Sequence, residues 1–423
     1  MYYYLLLFLA LYLPFQIALN PTQGIDLASV RILALLIFFL WLLRGLKEKK
    51  LVLTSSSVSP LIISFLFFCL FSTFASQNIQ WSVRKLLFLL SFFPLFFVIS
   101  ASLWNKEKIK LLSNLLVLGA FLTAIIGLFQ FSLQFILGID TSLSLWEKIT
   151  TPLLGNSFSQ SVFQHSSWLV NINNRTFFRA TSLFPDPHML SFYLNMLFPL
   201  SLAIYFSSFE KKYAFISAVI LLASLLTFSR GGYFGLLAGT IFFFSFFLAR
   251  KKYQLKTAST VAIFFASILV IFFVFFTTPI GQRFFSSFNS QEGSNSERIK
   301  IWNKTIEIIQ ENPLLGVGIG NYPLSIEPAS TYRDPIYAHN TYLDLAVETG
   351  IITSLIWIAI LFLSIFNLTQ NKTSLIFLGF SSGIVSFSAH SFFDTAIFSV
   401  HVLPLLIIFI AFSAIKEKSY ELV

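Results

Sequence analysis

The sequence predicts an all-α polytopic membrane protein of about twelve transmembrane helices, with a long helical external loop between spans nine and ten. Three observations carry this. Only 11% of the 423 residues are charged, where a water-soluble globular protein carries about 25%, so a soluble enzyme and a disordered chain are both excluded. The apolar runs are continuous and about twenty residues long, the length that crosses a bilayer as a helix; a transmembrane barrel would alternate polar and apolar residues over about ten. The basic residues, 28 Lys and Arg against 18 Asp and Glu, gather in short clusters between these runs, as membrane orientation requires. They form no basic stripe with interleaved stacking aromatics of the kind that binds single-stranded nucleic acid.

In order, the expected spans lie at roughly 2–19, 27–44, 59–76, 85–104, 111–138, 188–207, 213–229, 232–249, 257–278, 342–369, 373–392 and 396–415. The first lacks a basic leader and a small-x-small cleavage site, so it reads as a span and not as a signal peptide. Basic residues follow the even-numbered spans: Arg44, Lys47, Lys49 and Lys50; Lys106, Lys108 and Lys110; Lys211 and Lys212; Arg250, Lys251, Lys252 and Lys256; Lys372; Lys416 and Lys418. The turns on the other face hold few, such as Arg84 and Lys85. Both termini are therefore expected in the cytoplasm. Two long polar segments, about 139–187 and 279–341, fall outside, and the second is too long for an idle connector. The whole chain, 1–423, reads as one membrane domain with these two excursions. The 54 phenylalanines are expected at lipid-facing positions. The single cysteine, Cys69, allows no intrachain disulfide and reads as a buried thiol.

The chemistry is sought among basic residues that orientation does not need. Arg179 precedes span six, Arg230 sits at the outer turn before span eight, and Arg298 lies in the long loop. Singly, each also reads as snorkelling to lipid headgroups, and Arg31, one turn inside span two, fits that reading best. Together they suit an anion, because guanidinium grips phosphate oxygens through a planar, always-charged fork. In the long loop, Ser294-x-x-Glu297 is a capping box for a helix over about 295–311 that Asn312-Pro313 ends. Trp302, one turn after Arg298, is placed to brace its guanidinium.

Gly316-Val317-Gly318-Ile319-Gly320 lacks a preceding strand and reads as a tight turn, not a nucleotide motif. His339, with Asn340 beside it, stands at the outer mouth of span ten, where a neutral ring can take a proton from a hydroxyl. Glu348, two turns deeper, needs a basic partner. His390 and Asp394 end span eleven and line the same outer cavity or pack structurally, while His165, His188 and His401 carry less. No local spacing of metal ligands occurs.

Arg298-x-x-x-Trp302, Asn312-Pro313-Leu314-Leu315-Gly316-x-Gly318-x-Gly320-Asn321-Tyr322, Ala338-His339-Asn340-Thr341-Tyr342-Leu343 and Glu348-Thr349-Gly350 resemble the O-antigen ligase / O-antigen polymerase superfamily of bacterial membrane glycosyltransferases. Ser229-Arg230-Gly231, His390-Ser391-x-x-Asp394 and Arg179 through Pro185 resemble it too, so the likeness covers about 175–395. It implies a glycan on an undecaprenyl-type diphosphate carrier, presented at the outer face of the bacterial cytoplasmic membrane. An acceptor hydroxyl attacks its anomeric carbon with inversion and without metal or other cofactor. Arg230 and Arg298 would hold the diphosphate, with Arg179 second in rank. His339 would activate the hydroxyl, and Trp302, Asn340, Glu348, His390 and Asp394 would support the site. A ligase uses lipid A core as acceptor, and this is the expectation; a polymerase uses a second lipid-linked repeat. A twelve-span solute transporter is the more distant alternative. Carriers place polar residues at mid-membrane, and here they gather outside.

Overall fold

The structure is a computed structural model. It describes residues 2–22, 25–49, 56–102, 104–164, 166–172, 174–250, 278–285, 293–332, 336–371 and 374–415. The expected ninth span, His165, Lys372, Lys416, Lys418 and the basic residues after Arg250 lie outside them. Among the described residues, seven helices are long and apolar enough to cross a membrane: Ser29–Lys47, Val58–Ala75, Ile79–Ala101, Lys106–Leu137, Pro187–Ser208, Arg230–Leu248 and Ile351–Gln370. Tyr2–Phe15, Leu375–His390 and Val402–Ser413 are apolar but shorter. The chain is thus a helical, multi-pass membrane protein.

The N-terminal half begins with α1 (Tyr2–Tyr12), a hairpin of β1 (Ala18–Thr22) and β2 (Ile25–Ala28), then α2 (Ser29–Lys47) and α3 (Val58–Phe71). Where a plain turn was expected between the first two spans, an antiparallel hairpin stands. α4 (Ile79–Phe92) and α5 (Pro94–Ala101) follow. Together they make the single crossing Ile79–Ala101, as expected of the fourth span, and Pro94, which has no N–H to continue the ladder, starts its second helical segment. α6 (Lys106–Leu137) is the longest helix. The first external segment folds into α7 (Ile139–Leu154), α8 (Asn156–Gln164) and an antiparallel hairpin of β3 (Leu169–Ile172) and β4 (Arg175–Phe178).

The core of the molecule is α9 (Pro187–Ser208), with 94% of its apolar window buried. It packs against α10 (Lys211–Leu225), α11 (Arg230–Leu248) and, further on, α17 (Leu375–His390). Water does not drive helices together inside lipid, so close packing of small residues must. α11 supplies them. A Cβ on Gly235 would sit 2.7 Å from the Ser386 carbonyl, and one on Gly239 2.8 Å from that of Ser382. Ser386 also donates to the Gly235 carbonyl at 2.7 Å. Phenylalanines expected to face lipid pack here instead: Phe206 stacks among Phe243, Phe244 and Phe247, all buried. Others, such as Phe39, Phe129 and Phe362, do remain exposed.

The second external segment carries α12 (Pro279–Phe285), α13 (Gly293–Glu311) and the short α14 (Tyr322–Ile326). The Ser294 side chain expected to cap α13 lies outside the described residues. The chain re-enters through α15 (Thr341–Thr349) and α16 (Ile351–Gln370), expected as one helix but broken at Gly350, whose φ is +88°. It ends with α17 and α18 (Val402–Ser413).

Candidate active site

Four chain segments converge above the α9–α11–α17 core. Asp186 caps α9, its carboxylate accepting from His188 N at 2.8 Å and Met189 N at 2.9 Å, which fixes His188 at the helix mouth. Ser229 caps α11, accepting from Gly232 N at 3.1 Å, and sets Arg230 at the first position of that helix. A Cβ on Gly231 would lie 2.6 Å from Phe393 Cβ and 2.9 Å from His390 Cδ2, so only glycine lets α11 approach the end of α17. Asn340 caps α15 by accepting from Tyr342 N and Leu343 N at 3.0 and 3.2 Å. That is a structural duty, and it presents His339 immediately outside the helix. Three non-glycine residues in these loops are left-handed: His339 at φ +51°, Phe228 at +50° and Ser182 at +51°. Such strain collects where surrounding structure enforces it, commonly at working sites.

Between these ends lies a recess of about 90 Å³ lined by His188, Arg230, Gly231, Arg283, Arg298 and Phe393. Arg230 and Arg298 therefore share one cavity although they sit on α11 and α13. Arg283, on α12, adds a third guanidinium that the sequence reading missed; the rule that singled out Arg298, a basic residue in an external loop, applies to it equally. Burial pulls the Arg298 pKa down, opposed by the Asp394 carboxylate and aided by Arg230.

Arg179 is buried beside this recess with its donors committed. Nε gives to the Thr227 carbonyl at 2.7 Å and Nη1 to that of Ser167 at 2.9 Å. Burial first, and then Arg283, pull its pKa to about 9. Its guanidinium braces the loop that leads to Ser229, and two of its nitrogens stand 3.4 Å from His188 Nε2. With donors at Nε2, the His188 proton belongs on Nδ1, which meets Asp394 Oδ2 at 3.0 Å.

Asp394 is the hub. Its Oδ1 stands 3.3 Å from His339 Nδ1 and accepts from Thr395 N at 3.1 Å. Burial pushes its pKa up, but His188, His339 and Arg298 outweigh that and hold it well below the ordinary carboxylate range. An ionised Asp394 only accepts, so Nδ1 of His339 donates and the Nε2 lone pair is left outward. Burial lowers the His339 pKa, while the hydrogen bond and charge of Asp394 raise it; the net direction is upward. The imidazole side chain is 42% exposed.

Asp344, which the sequence reading passed over, ties both halves together. It accepts from Ala338 N at 2.8 Å and from the Thr395 hydroxyl, so one carboxylate positions both His339 and Asp394.

Trp302 does not brace Arg298 as expected. Its indole N–H goes to the Ala338 carbonyl at 2.8 Å, next to His339, and among the described residues no guanidinium stacks on it. Glu348 pairs with Lys85 on α4 at 2.7 Å, away from the recess. His390 is buried at the end of α17, stacked on Phe192 with ring centres 3.5 Å apart, and its Nε2 is 3.4 Å from Ser229 Oγ. The glycine turn docks the loop: Val317 N reaches the Val347 carbonyl at 2.9 Å, and Ser82 donates to the Ile319 carbonyl at 2.6 Å. Within α6, Gln130 and Gln134 hold segment 178–182 by its backbone.

His188, His390 and Asp394 offer ligand atoms within 4.8 Å of one another, a grouping no local sequence spacing announces. The donor set suits a zinc-type ion, but the guanidinium groups on the same recess oppose a further divalent charge. The arrangement fits an oxyanion better: fixed cations on one side, and an oriented imidazole on the other.

No curated protein matches the chain. Residues 215–358, which carry Arg230, Arg283, Arg298, Trp302 and His339, match the family model described as O-antigen ligase.

Proposed function

We propose that the protein is a membrane glycosyltransferase of the O-antigen ligase type. It moves a glycan from a polyprenyl diphosphate carrier, undecaprenyl diphosphate in bacteria, to an acceptor hydroxyl. Lipid A core is the acceptor on the ligase reading and a second lipid-linked repeat on the polymerase reading. One observation carries the proposal: the Asp394–His339 pair and the recess of Arg230, Arg283 and Arg298 belong to one cluster, with Arg298 within electrostatic reach of both Asp394 and His339.

The chemistry follows from that cluster. Asp394 fixes the His339 tautomer, so Nε2 takes the proton of the acceptor hydroxyl. The hydroxyl oxygen bonds to the anomeric carbon as the bond from that carbon to the diphosphate oxygen breaks, which inverts the centre. Charge grows on the departing diphosphate, and guanidinium groups already in place stabilise it. The leaving group needs no proton and the cations are supplied by the chain, so no metal is required. The recess opens on the outer face of the cytoplasmic membrane, with both termini inside.

The test is transfer by the purified full chain in proteoliposomes, with lipid-linked glycan as donor and either acceptor. We expect transfer that persists in EDTA. Arg298→Ala and Arg230→Ala should each lose about 10²–10³ in rate, with Lys only partly restoring it because the fork is lost. Abolition by EDTA with rescue by Mg²⁺, or unchanged donor kinetics in both arginine variants, would overturn the reading.

A further inference from the structure

A second cationic group lies outside the recess lining, against the segment that precedes His339. It is built from α2, α4, the loop after α14 and the turn before α18. Arg31 donates from Nε to Ser91 Oγ at 3.1 Å and lies over the Phe88 ring at 5.4 Å. Arg84 lies over the Tyr332 ring at 5.1 Å, and Tyr332 meets Trp81 edge-on at 5.7 Å. Phe88 continues to Phe398 at 6.3 Å. Lys85 stands 3.9 Å over Phe398 and 5.6 Å over Tyr337, two residues before His339.

The charges in this strip differ in how they are used. Lys85 is neutralised by Glu348 at 2.7 Å; it holds Tyr337 in place and has no charge left to offer. Arg31 and Arg84 have no carboxylate within ion-pair distance among the described residues. A guanidinium carries five N–H donors, and Arg31 gives one of them to Ser91. A half-buried arginine near lipid is costly without an anion. Exposed Tyr332 and half-buried Trp81 and Tyr337 add flat apolar faces of the sort on which sugar rings stack. Arginines with no carboxylate at ion-pair distance among the described residues, set among aromatic faces next to the segment that carries His339, make a surface for an acidic saccharide. The donor diphosphate has its own guanidinium groups in the recess, so this strip is left for the other substrate.

We propose that Arg31, Arg84 and Tyr332 form an acceptor subsite that takes a phosphate-bearing saccharide, the sugar lying along the Trp81–Tyr337 strip toward His339. The acceptor assignment rests on the glycosyl-transfer reading above; the anion site itself does not. The phosphate belongs to the acceptor, and the competing source is the headgroup of an ordinary anionic phospholipid.

The experiment uses the full chain in phosphatidylcholine nanodiscs, with the recess disabled by Arg230→Gln and Arg298→Gln. It is titrated with glucose 1-phosphate and with glucose. We expect the sugar phosphate to bind at least about tenfold more tightly. Adding Arg31→Gln and Arg84→Gln should erase that preference, and phosphatidylglycerol in the nanodisc should leave it intact. A preference that survives both substitutions overturns the site; one abolished by phosphatidylglycerol makes it a headgroup contact and overturns the saccharide. Arg84 is exposed, so Arg84→Gln alone carries the test if Arg31→Gln does not fold. No glycan is transferred in this assay, so its failure is separate from failure of the enzyme reading. In turnover, Arg84→Gln should raise the acceptor KM about tenfold with the donor KM unchanged; a raised donor KM instead would overturn the acceptor assignment.

Discussion

His339 and Asp394 make a pair whose protonation is set by opposing forces, and this gives a pH prediction. His339 acts as a base only when neutral. Burial alone would lower its pKa; Asp394, by hydrogen bond and charge, turns the net shift upward. Transfer should therefore rise with pH through a midpoint above the ordinary histidine value of about 6.5. Asp394→Asn removes the charge, so the acid limb should move to lower pH while the maximal rate falls. A limb that stays in place in that variant would detach Asp394 from His339. The sequence made His339, Arg230 and Arg298 legible because each is a polar group where membrane orientation gives no reason for one. Arg283 was legible by the same logic and was passed over. Asp344 and the working position of His188 were not legible, because their partners, Thr395 and Asp394, lie far along the chain and only folding brings them together. Trp302 was read in the right place with the wrong partner, since helical spacing allowed a stack on Arg298 but the indole N–H found the Ala338 carbonyl.

At the scale of elements, glycines decide how the loop meets the membrane helices. Gly350 has φ +88°, and a Cβ there would run into the Leu314 carbonyl; the residue both separates α15 from α16 and admits the loop after α13. Gly138 has φ +77° with nothing within 4 Å of its Cβ position. Both have ψ near 160°, a region essentially reserved for glycine, where an L-residue costs about 1–3 kcal/mol. Gly138→Ala should therefore lower stability by about that much, and Gly350→Ala by clearly more, because a backbone clash is added. The comparison is read from unfolding of the detergent-purified protein, and equal losses would refute the docking role of Gly350. Sequence pattern read α13 closely: the expected stop at Asn312-Pro313 is where the helix ends, at Glu311. It did not read the break at Gly350, because the polar interruption Glu348-Thr349-Gly350 is too short by itself to end a span, whereas the turn at Phe93-Pro94 lies within one crossing, Ile79–Ala101. The hairpins escaped for a related reason: their strands are only four or five residues long, too short for alternation to stand out.

For the whole molecule, the proposed orientation sets the recess and the loop across the membrane from Lys49. Cys69 is buried, so added cysteines report sidedness with little background. In intact cells a membrane-impermeant maleimide should label Leu314→Cys, an exposed loop position, and spare Lys49→Cys; the reverse pattern would invert the orientation. Composition carried the membrane class, since too few charges are present for a soluble surface. The arrangement of helices was not readable, because the nearly complete burial of α9 depends on which neighbours pack round it, and its own sequence is no more apolar than that of lipid-facing helices. The central claim is that guanidinium groups hold the departing diphosphate while His339 takes the acceptor proton. The most direct measurement is single-turnover transfer, with donor binding measured in parallel, for His339→Ala and Arg298→Ala in proteoliposomes. His339→Ala should bind lipid-linked donor normally and transfer nothing, and Arg298→Ala should bind donor weakly. Transfer at the unsubstituted rate by His339→Ala, or donor binding indifferent to Arg298, would contradict the account.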